Sequence, residues 1–434
     1  MASDGVVTQV LDNGLTVLIR PMYHAPVASL WLWLRVGSRN EVPGITGISH
    51  WVEHMMFKGT PNVPKGELDR LVSREGGYNN AMTWLDWTVY YETLPAQRID
   101  LALEIEADRV ANALFDLQEV EAERTVIVSE RQGAENEPGF RLSEAVQAAA
   151  FRVHPYHHTV IGDLCDLTTI TRDDLYAHYR RYYVPNNAVL VLSGDVETGP
   201  ALTRIGSLFG GIPAGQSLLP VRREEPTQTG ERRVVVEGEG TTAYVDLAFH
   251  VPQATASDFF SMLAVNAVLA GIGRLSPFGG GSANRSSRLY EALVETELAL
   301  SVSGDLPITC DPYLYVLSAT VRAGRTPQQV EDAMWDQVEQ IVTKPASQEE
   351  LGRALKQARA QLVYSSESVT DQALWFGFAE MLSHHSWFLT FIEQLNRVTV
   401  EDVCRAASQY LTRRNCTVGW YVPTDDTRAA DDAS

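Results

Sequence analysis

Thr171-Arg172-Asp173-Asp174-Leu175, followed by Tyr182 and then by Asn187-Ala188-Val189-Leu190-Val191-Leu192, reads as a capped helix that delivers the chain to a buried strand. The same order returns at Thr399, Asp402, Val403, Tyr410 and Asn415, each 228 residues further on. In both copies a threonine stands three residues before an aspartate at the helix start. That is a capping box with Asp in place of Glu, in which the two side chains satisfy backbone N–H groups that the helix leaves unpaired. Recurrence of cap, helix, tyrosine, asparagine and strand in one order predicts a duplication.

Working outward from the repeat, residues 212–233 are rich in Pro, Gly, Gln, Glu and Arg and lack helical or strand periodicity, which is a linker composition. The expected domains are therefore 1–215, a linker at 216–232, and a homologous second half at 233–434. Each half opens on strand-like runs, at 15–20 and 28–36 in the first and at 233–236 and 243–250 in the second. Long helical segments follow them. The fold class expected is α+β, with a mixed sheet in each half covered by helices on one side. A chain of 434 residues exceeds one ordinary core, its 45% hydrophobic share can fill two, and its dispersed 21% of charged residues argues against a disordered chain.

The formal charge of −20 excludes nucleic acid as an expected partner, because phosphate binding needs a basic face. It favours cationic substrates or a less acidic partner chain, beside its ordinary solubilising role. No apolar window reaches the 18 residues that a membrane-spanning helix requires, and residues 1–10 lack the pattern of a secretory signal. Cys165, Cys310, Cys404 and Cys416 are scattered without a Cys-x-x-Cys pair. The compartment expected is cytoplasmic, with the periplasm as the alternative for a trimmed N-terminus.

Chemistry concentrates in Ile48-Ser49-His50-Trp51-Val52-Glu53-His54-Met55-Met56-Phe57. On a helix, Ile48, Trp51, Val52 and Met55 share the face that seeks a core. His50, Glu53, His54 and Phe57 share the other. Two imidazoles one turn apart can hold one zinc ion, and a carboxylate between them can reach a water on that ion. The plain alternative is a pair of exposed histidines on an amphipathic helix.

Zinc in a hydrolase usually takes three protein ligands, so a third must come from elsewhere. Residues 116–132 read as a glutamate-rich helix in which Glu123 and Glu130 are seven apart and share a face. Spacing alone does not choose between them, and a solvated acidic face would look the same. His154, His157 and His158 form a second histidine cluster, read as loop residues with metal ligation as the lesser alternative. Gly279-Gly280-Gly281-Ser282 lacks the Gly-Lys-Ser/Thr of a phosphate loop and reads as a glycine-rich loop at a partner interface.

Taken together, Asn13-Gly14-Leu15-Thr16-Val17, Val36-Gly37-Ser38-Arg39-Asn40-Glu41, the His50 to His54 motif, Asn80-Ala81-Met82-Thr83 and Glu123-Arg124-Thr125-Val126-Ile127 through Glu130 resemble the pitrilysin-like zinc peptidases, or inverzincins. They are most similar to the branch of mitochondrial processing peptidase and its bacterial two-subunit relatives. The resemblance implies two homologous halves in a clamshell, Zn2+ as cofactor, and peptides or unfolded segments as substrates. It implies His50, His54 and Glu130 as metal ligands, since the family's third ligand stands 76 positions after the second histidine, where 130 − 54 = 76. Glu53 is implied as general base, Glu123 as support for a ligand, and Asn80 and Ala81 as part of an edge strand that carries the substrate backbone.

One departure stands out. The family commonly carries an arginine and a tyrosine seven residues apart after a Ser-Ser-Arg-Leu signature, and here Ser286-Ser287-Arg288-Leu289 is followed by Val294 and Leu300 at those places, with one gap allowed. The resemblance then implies a heterodimer in which a homologous partner without the zinc motif supplies the substrate-gripping Arg and Tyr. The competing expectation is a non-catalytic structural or interaction subunit of the same fold, against which the intact His50, Glu53, His54 and Glu130 argue.

Overall fold

Val27-Ala28-Ser29-Leu30-Trp31-Leu32-Trp33-Leu34 is apolar at nearly every position, as expected of a strand covered on both faces, and all of it beyond Val27 is buried. The computed structural model describes residues 5–218, 220–272 and 285–424. Its strands are β1 (Val7–Val10), β2 (Thr16–Pro21), β3 (Val27–Leu34), β4 (Tyr78–Thr83), β5 (Thr88–Pro95) and β6 (Ala188–Gly194), then β7 (Arg232–Gly238), β8 (Tyr244–Val251), β9 (Ala299–Asp305), β10 (Tyr313–Val321) and β11 (Cys416–Pro423). The helices are α1 (Ile48–Met55), α2 (Glu67–Arg74), α3 (Ile99–Asn112), α4 (Leu117–Glu135), α5 (Pro138–Ala150), α6 (Leu164–Leu167), α7 (Arg172–Tyr182) and α8 (Thr198–Phe209), followed by α9 (Phe259–Leu269), α10 (Pro327–Thr343), α11 (Gln348–Tyr364), α12 (Val369–Leu382), α13 (Ser386–Asn396) and α14 (Val400–Tyr410).

Two mixed sheets result, ordered β1-β2-β6-β3-β5-β4 and β7-β11-β8-β10-β9. Apart from β1 they have one topology: β2 runs parallel to β6 and β7 parallel to β11, while every other pairing is antiparallel. The registers also correspond, with Thr16 opposite Val189 in the first sheet and Arg232 opposite Thr417 in the second. Since 417 − 189 is again 228, the duplication read from the helix caps extends to the strands.

The caps themselves form as the spacing predicts. Asp174 N–H donates to Thr171 Oγ1 and Thr171 N–H to Asp174 Oδ2, at 3.2 and 2.9 Å. The Thr399–Asp402 pair repeats this at 3.2 and 3.0 Å. Asn187 Nδ2 donates to Tyr182 O at 2.9 Å, and Asn415 Nδ2 to Tyr410 O at 2.8 Å, so the repeated asparagines tie each helix to the strand that follows it.

The compact units differ from a linear cut. One comprises residues 1–131, 158–222 and 366–389, the other 132–157, 223–365 and 390–434. Thus α5, from the first half of the sequence, packs on β7, β8 and β11, and its counterpart α12 packs on β2, β3 and β6. Boundaries at 215 and 233 separate the sheets but not the units, because each sheet has a second apolar face that its own half leaves bare. Leu30, Leu32 and Leu34 of β3 join the core formed with α1, α3 and α7, whereas Trp33 meets α12, where Phe378 lies 6.3 Å away and a Cβ on Gly377 would fall 2.0 Å from Trp33 Nε1. Helices therefore cover both faces of this sheet, one more than expected. The linker-like segment is also held within its unit: the Glu225 carboxylate accepts from the backbone N–H groups of Arg152, Val153 and His154 at 2.8, 2.9 and 3.1 Å. Among the described residues, no helix is long and apolar enough to cross a membrane.

Candidate metal centre

The helix that carries the motif is fixed at its start. Gly47 adopts φ +83°, where a Cβ would approach Ile161 O to 2.4 Å, so only glycine fits the turn. Glu41 then caps α1 from outside, its two carboxylate oxygens accepting from Gly47 N–H and Ser49 N–H at 2.8 Å each. Burial pushes the Glu41 carboxyl up to about 8, against the pull of those two bonds. Ile48, Trp51, Val52 and Met55 are all buried, as the helical reading predicts. The Arg124 guanidinium lies 4.8 Å over the Trp51 ring and donates to Leu167 O and Ile170 O at 2.7 and 2.8 Å, which fixes α4 beside α1.

Across that pairing the histidines meet a carboxylate. His50 Nε2 and His54 Nε2 lie 4.0 and 3.8 Å from one oxygen of Glu130, and their rings are 4.6 Å apart. One ligand atom from each of the three residues lies within 4.8 Å of the other two. His54 Nδ1 is 2.8 Å from Glu123 Oε1, which leaves its Nε2 for the side where Glu130 stands. Lys58 Nζ bonds the other Glu123 oxygen. Burial opposes ionisation of Glu123, but Lys58 and His54 more than offset it and hold the carboxyl below its ordinary value. Burial, reinforced by neighbouring His54, lowers His50 to about 3, so its imidazole is neutral at pH 7, as a metal ligand must be. Its Nδ1 is buried without a hydrogen-bond partner. Two imidazole nitrogens and a carboxylate oxygen form a donor set that suits zinc.

Glu53 lies beside this set, and Thr83 Oγ1 donates to its Oε2 at 2.7 Å. Burial, more than the nearby Glu130 charge, raises its carboxyl above the ordinary value, although the Thr83 bond and His54 pull it down. Thr83 ends β4, which is the outermost strand of its sheet and carries Asn80 and Ala81. Asn80 is exposed, and its Oδ1 accepts from Ala81 N–H at 2.9 Å.

Sequence reasoning gave no role to Glu41, Lys58 or Thr83, although Glu41 and Thr83 stand in stretches that carry the family resemblance. Thr83 was readable only as a strand residue, and nothing in its spacing points to Glu53. Lys58 lies four residues after His54, a spacing that could have suggested proximity. The lesser histidine cluster has ordinary partners instead: His154 Nε2 lies 3.2 Å from Asp311 and its Nδ1 accepts from Tyr156 N–H, while His158 Nδ1 lies 3.1 Å from Thr159 O. Val294 is partly buried and Leu300 is exposed on β9, and Arg288 is engaged by Glu350 at 2.8 and 3.0 Å. The glycine run at 279–282 lies outside the described residues.

Residues 16–164 match the family described as insulinase, peptidase family M16, and residues 169–358 match the peptidase M16 inactive domain. The chain is 27% identical over 415 residues to the mitochondrial-processing peptidase subunit beta of Lentinula edodes, covering 92% of this chain and 86% of that one. It is 28% identical over 425 residues to the zinc protease PqqE of Helicobacter pylori, covering 95% and 92%. Among solved structures, a protease from Helicobacter pylori superposes with a TM-score of 0.90 at 26% identity, over 96% of this chain and 99% of that one.

Proposed function

The chain belongs to peptidase family M16, and on that premise we propose that it is a zinc-dependent endopeptidase or oligopeptidase acting on extended peptide segments. The observation that carries the reading is the convergence of His50, His54 and Glu130 beside a buried Glu53 oriented by Thr83. Zinc bound to the three ligands would supply Lewis acidity and lower the pKa of a water at its open position to about 7. Glu53, its carboxyl raised by burial, would serve as the general base, taking a proton from the attacking water and passing it to the leaving amine. Glu123 fixes the ring of His54 through Nδ1. The outer edge of β4, with Asn80 and Ala81, receives a substrate backbone as an added strand, which suits unfolded peptides over folded ones.

The working unit we propose is a heterodimer. The side chains of Val294 and Leu300 cannot donate to a substrate carbonyl, so a homologous partner supplies the arginine and tyrosine. Naming of a related chain as a processing-peptidase beta subunit supports this division.

Glu53→Gln tests the base. Peptide hydrolysis, measured with the co-purifying partner present, should fall about a hundredfold to ten-thousandfold while zinc content is unchanged. Near wild-type turnover by Glu53→Gln would remove the proposed role. Full activity of the isolated chain would remove the heterodimer.

A further inference from the structure

A second group of metal-ligand side chains lies at the far end of α12. Glu380 and His385 are buried, His384 is exposed, and one ligand atom from each lies within 4.8 Å of the others, the same criterion that the His50, His54 and Glu130 group meets. His385 N–H donates to Glu380 Oε1 at 2.8 Å, and His385 Nδ1 lies 2.8 Å from the same oxygen. The carboxylate is thus already turned toward the histidines. Arg35 Nη2 donates to Glu380 O at 3.2 Å, which holds the last turn of the helix in place. Ser386 N–H donates to His384 Nδ1 at 3.2 Å, and the two histidine rings lie 4.0 Å apart.

We propose that Glu380, His384 and His385 form a second binding site for a divalent transition metal, separate from the peptidase centre and independent of it. Two imidazoles and one carboxylate are the ligand types that zinc, nickel and cobalt accept, with water completing the shell. All three donors come from six consecutive residues that are ordered by their own hydrogen bonds, so little chain entropy is lost on binding. Position adds to the attraction. The site closes the C-terminal end of a helix of 14 residues, where the dipole favours a cation, in a chain of formal charge −20. His384 opens to solvent and provides entry. This is the weaker of the two sites, because Glu380 Oε1 and His384 Nδ1 already take hydrogen bonds from His385 and Ser386 that compete with a metal. Binding there ties the turn 383–385 to α12 and stabilises the helix that covers β3 and β6.

The test is zinc titration by calorimetry and equilibrium dialysis, repeated with nickel, on the full chain in four forms: wild type, His384→Ala, His50→Ala with His54→Ala, and the triple variant. Two equivalents are expected for wild type, one weak equivalent for the His50/His54 variant, one tight equivalent for His384→Ala, and at least a tenfold loss of the remaining affinity in the triple variant. His384 is exposed, so its removal leaves the fold intact, and circular dichroism checks this. Zinc should also raise the melting temperature of the His50/His54 variant but not of the triple variant. A His50/His54 variant that binds no zinc or nickel, or one whose binding survives His384→Ala, would overturn the site. Failure of the peptidase centre looks different: wild type would bind a single equivalent, which the His50/His54 variant would keep and His384→Ala would lose.

Discussion

Helices α1 and α9 hold the same place in the two sheets, yet they carry opposite chemistry. Each follows the central strand of its sheet, β3 or β8, and each packs against a capping-box helix, α7 or α14. In α1 one face is core and the other bears His50, Glu53 and His54. In α9 every residue but Phe260 is buried, and the polar Asn266 is used to accept from Tyr315 OH at 3.0 Å. Their neighbours follow suit. Glu123 and Glu130 of α4 reach toward α1, whereas α11 buries Leu351, Ala354, Leu355, Ala358 and Leu362 and packs on α9. The duplicated fold provides a helix pair twice, and a few side chains across one pair give it the donor set of a candidate metal centre.

The largest way to break this contrast is to make α1 as inert as α9. His50→Ala with His54→Ala should abolish the tightly held zinc equivalent and reduce peptide hydrolysis to background, as metal analysis after dialysis and a peptide assay would record. Secondary structure should persist, because both side chains lie off the core face. Retention of tight zinc would show that α1 is not the metal helix. Glu123→Gln sharpens the contrast more gently, since it keeps hydrogen bonding to His54 but removes a charge. Zinc affinity should drop about tenfold to a hundredfold, the usual cost of altering a partner of a ligating histidine. An unchanged affinity would make Glu123 merely an ion-pair partner of Lys58.

A second contrast lies on the sheets themselves. Trp31 and Tyr91 are directly opposite on β3 and β5 and stack at 4.2 Å, while Asp246 and Ser318 are directly opposite at the equivalent points of β8 and β10. Burial raises the Asp246 carboxyl to about 6 from the ordinary 3.8, with the Ser318 hydroxyl pulling the other way. The folded state therefore binds the proton more tightly than the unfolded chain does. Stability from this group is fully present below about pH 4, declines as pH rises toward 6, and is absent above that. Asp246→Asn removes the buried charge and should stabilise the protein by about 2 kcal/mol at pH 7.5, with no gain at pH 4. Urea unfolding at both values reads the difference, and an equal effect at both would mean that the group does not titrate in this range.

Much of this was legible because it is local. The motif of α1, its core stripe and both capping boxes depend on residues within one or two helical turns, and helical geometry places such residues without further knowledge. The exchange of α5 and α12 was not legible. Ala373-Leu374-Trp375-Phe376-Gly377-Phe378-Ala379 announces a buried helix but not which sheet buries it, since any apolar face would serve. The roles of Thr83 and Glu41 were not legible for a related reason. Their partners depend on strand register and on a turn, and neither leaves a periodic signal.

The smallest expected effect is also the strictest test of the duplication, because it demands equality and not a difference. Thr171 and Thr399 each accept from the N–H of the aspartate three residues on, at 3.2 Å in both helices, and each N–H is returned to that aspartate at 2.9 and 3.0 Å. Replacing either threonine by alanine removes one cap bond and should cost about 1 kcal/mol. Both sites are solvent-exposed, so neither substitution opens a cavity to complicate the comparison. Hydrogen exchange followed separately in α7 and α14 would localise each loss to its own helix, and Thr→Ser at either position should recover most of it. Two equal losses would mean that the caps still do the same work in both halves. A loss confined to α7 would mean that packing has taken over the start of α14, and that the repeat there survives in sequence without its original energetic role.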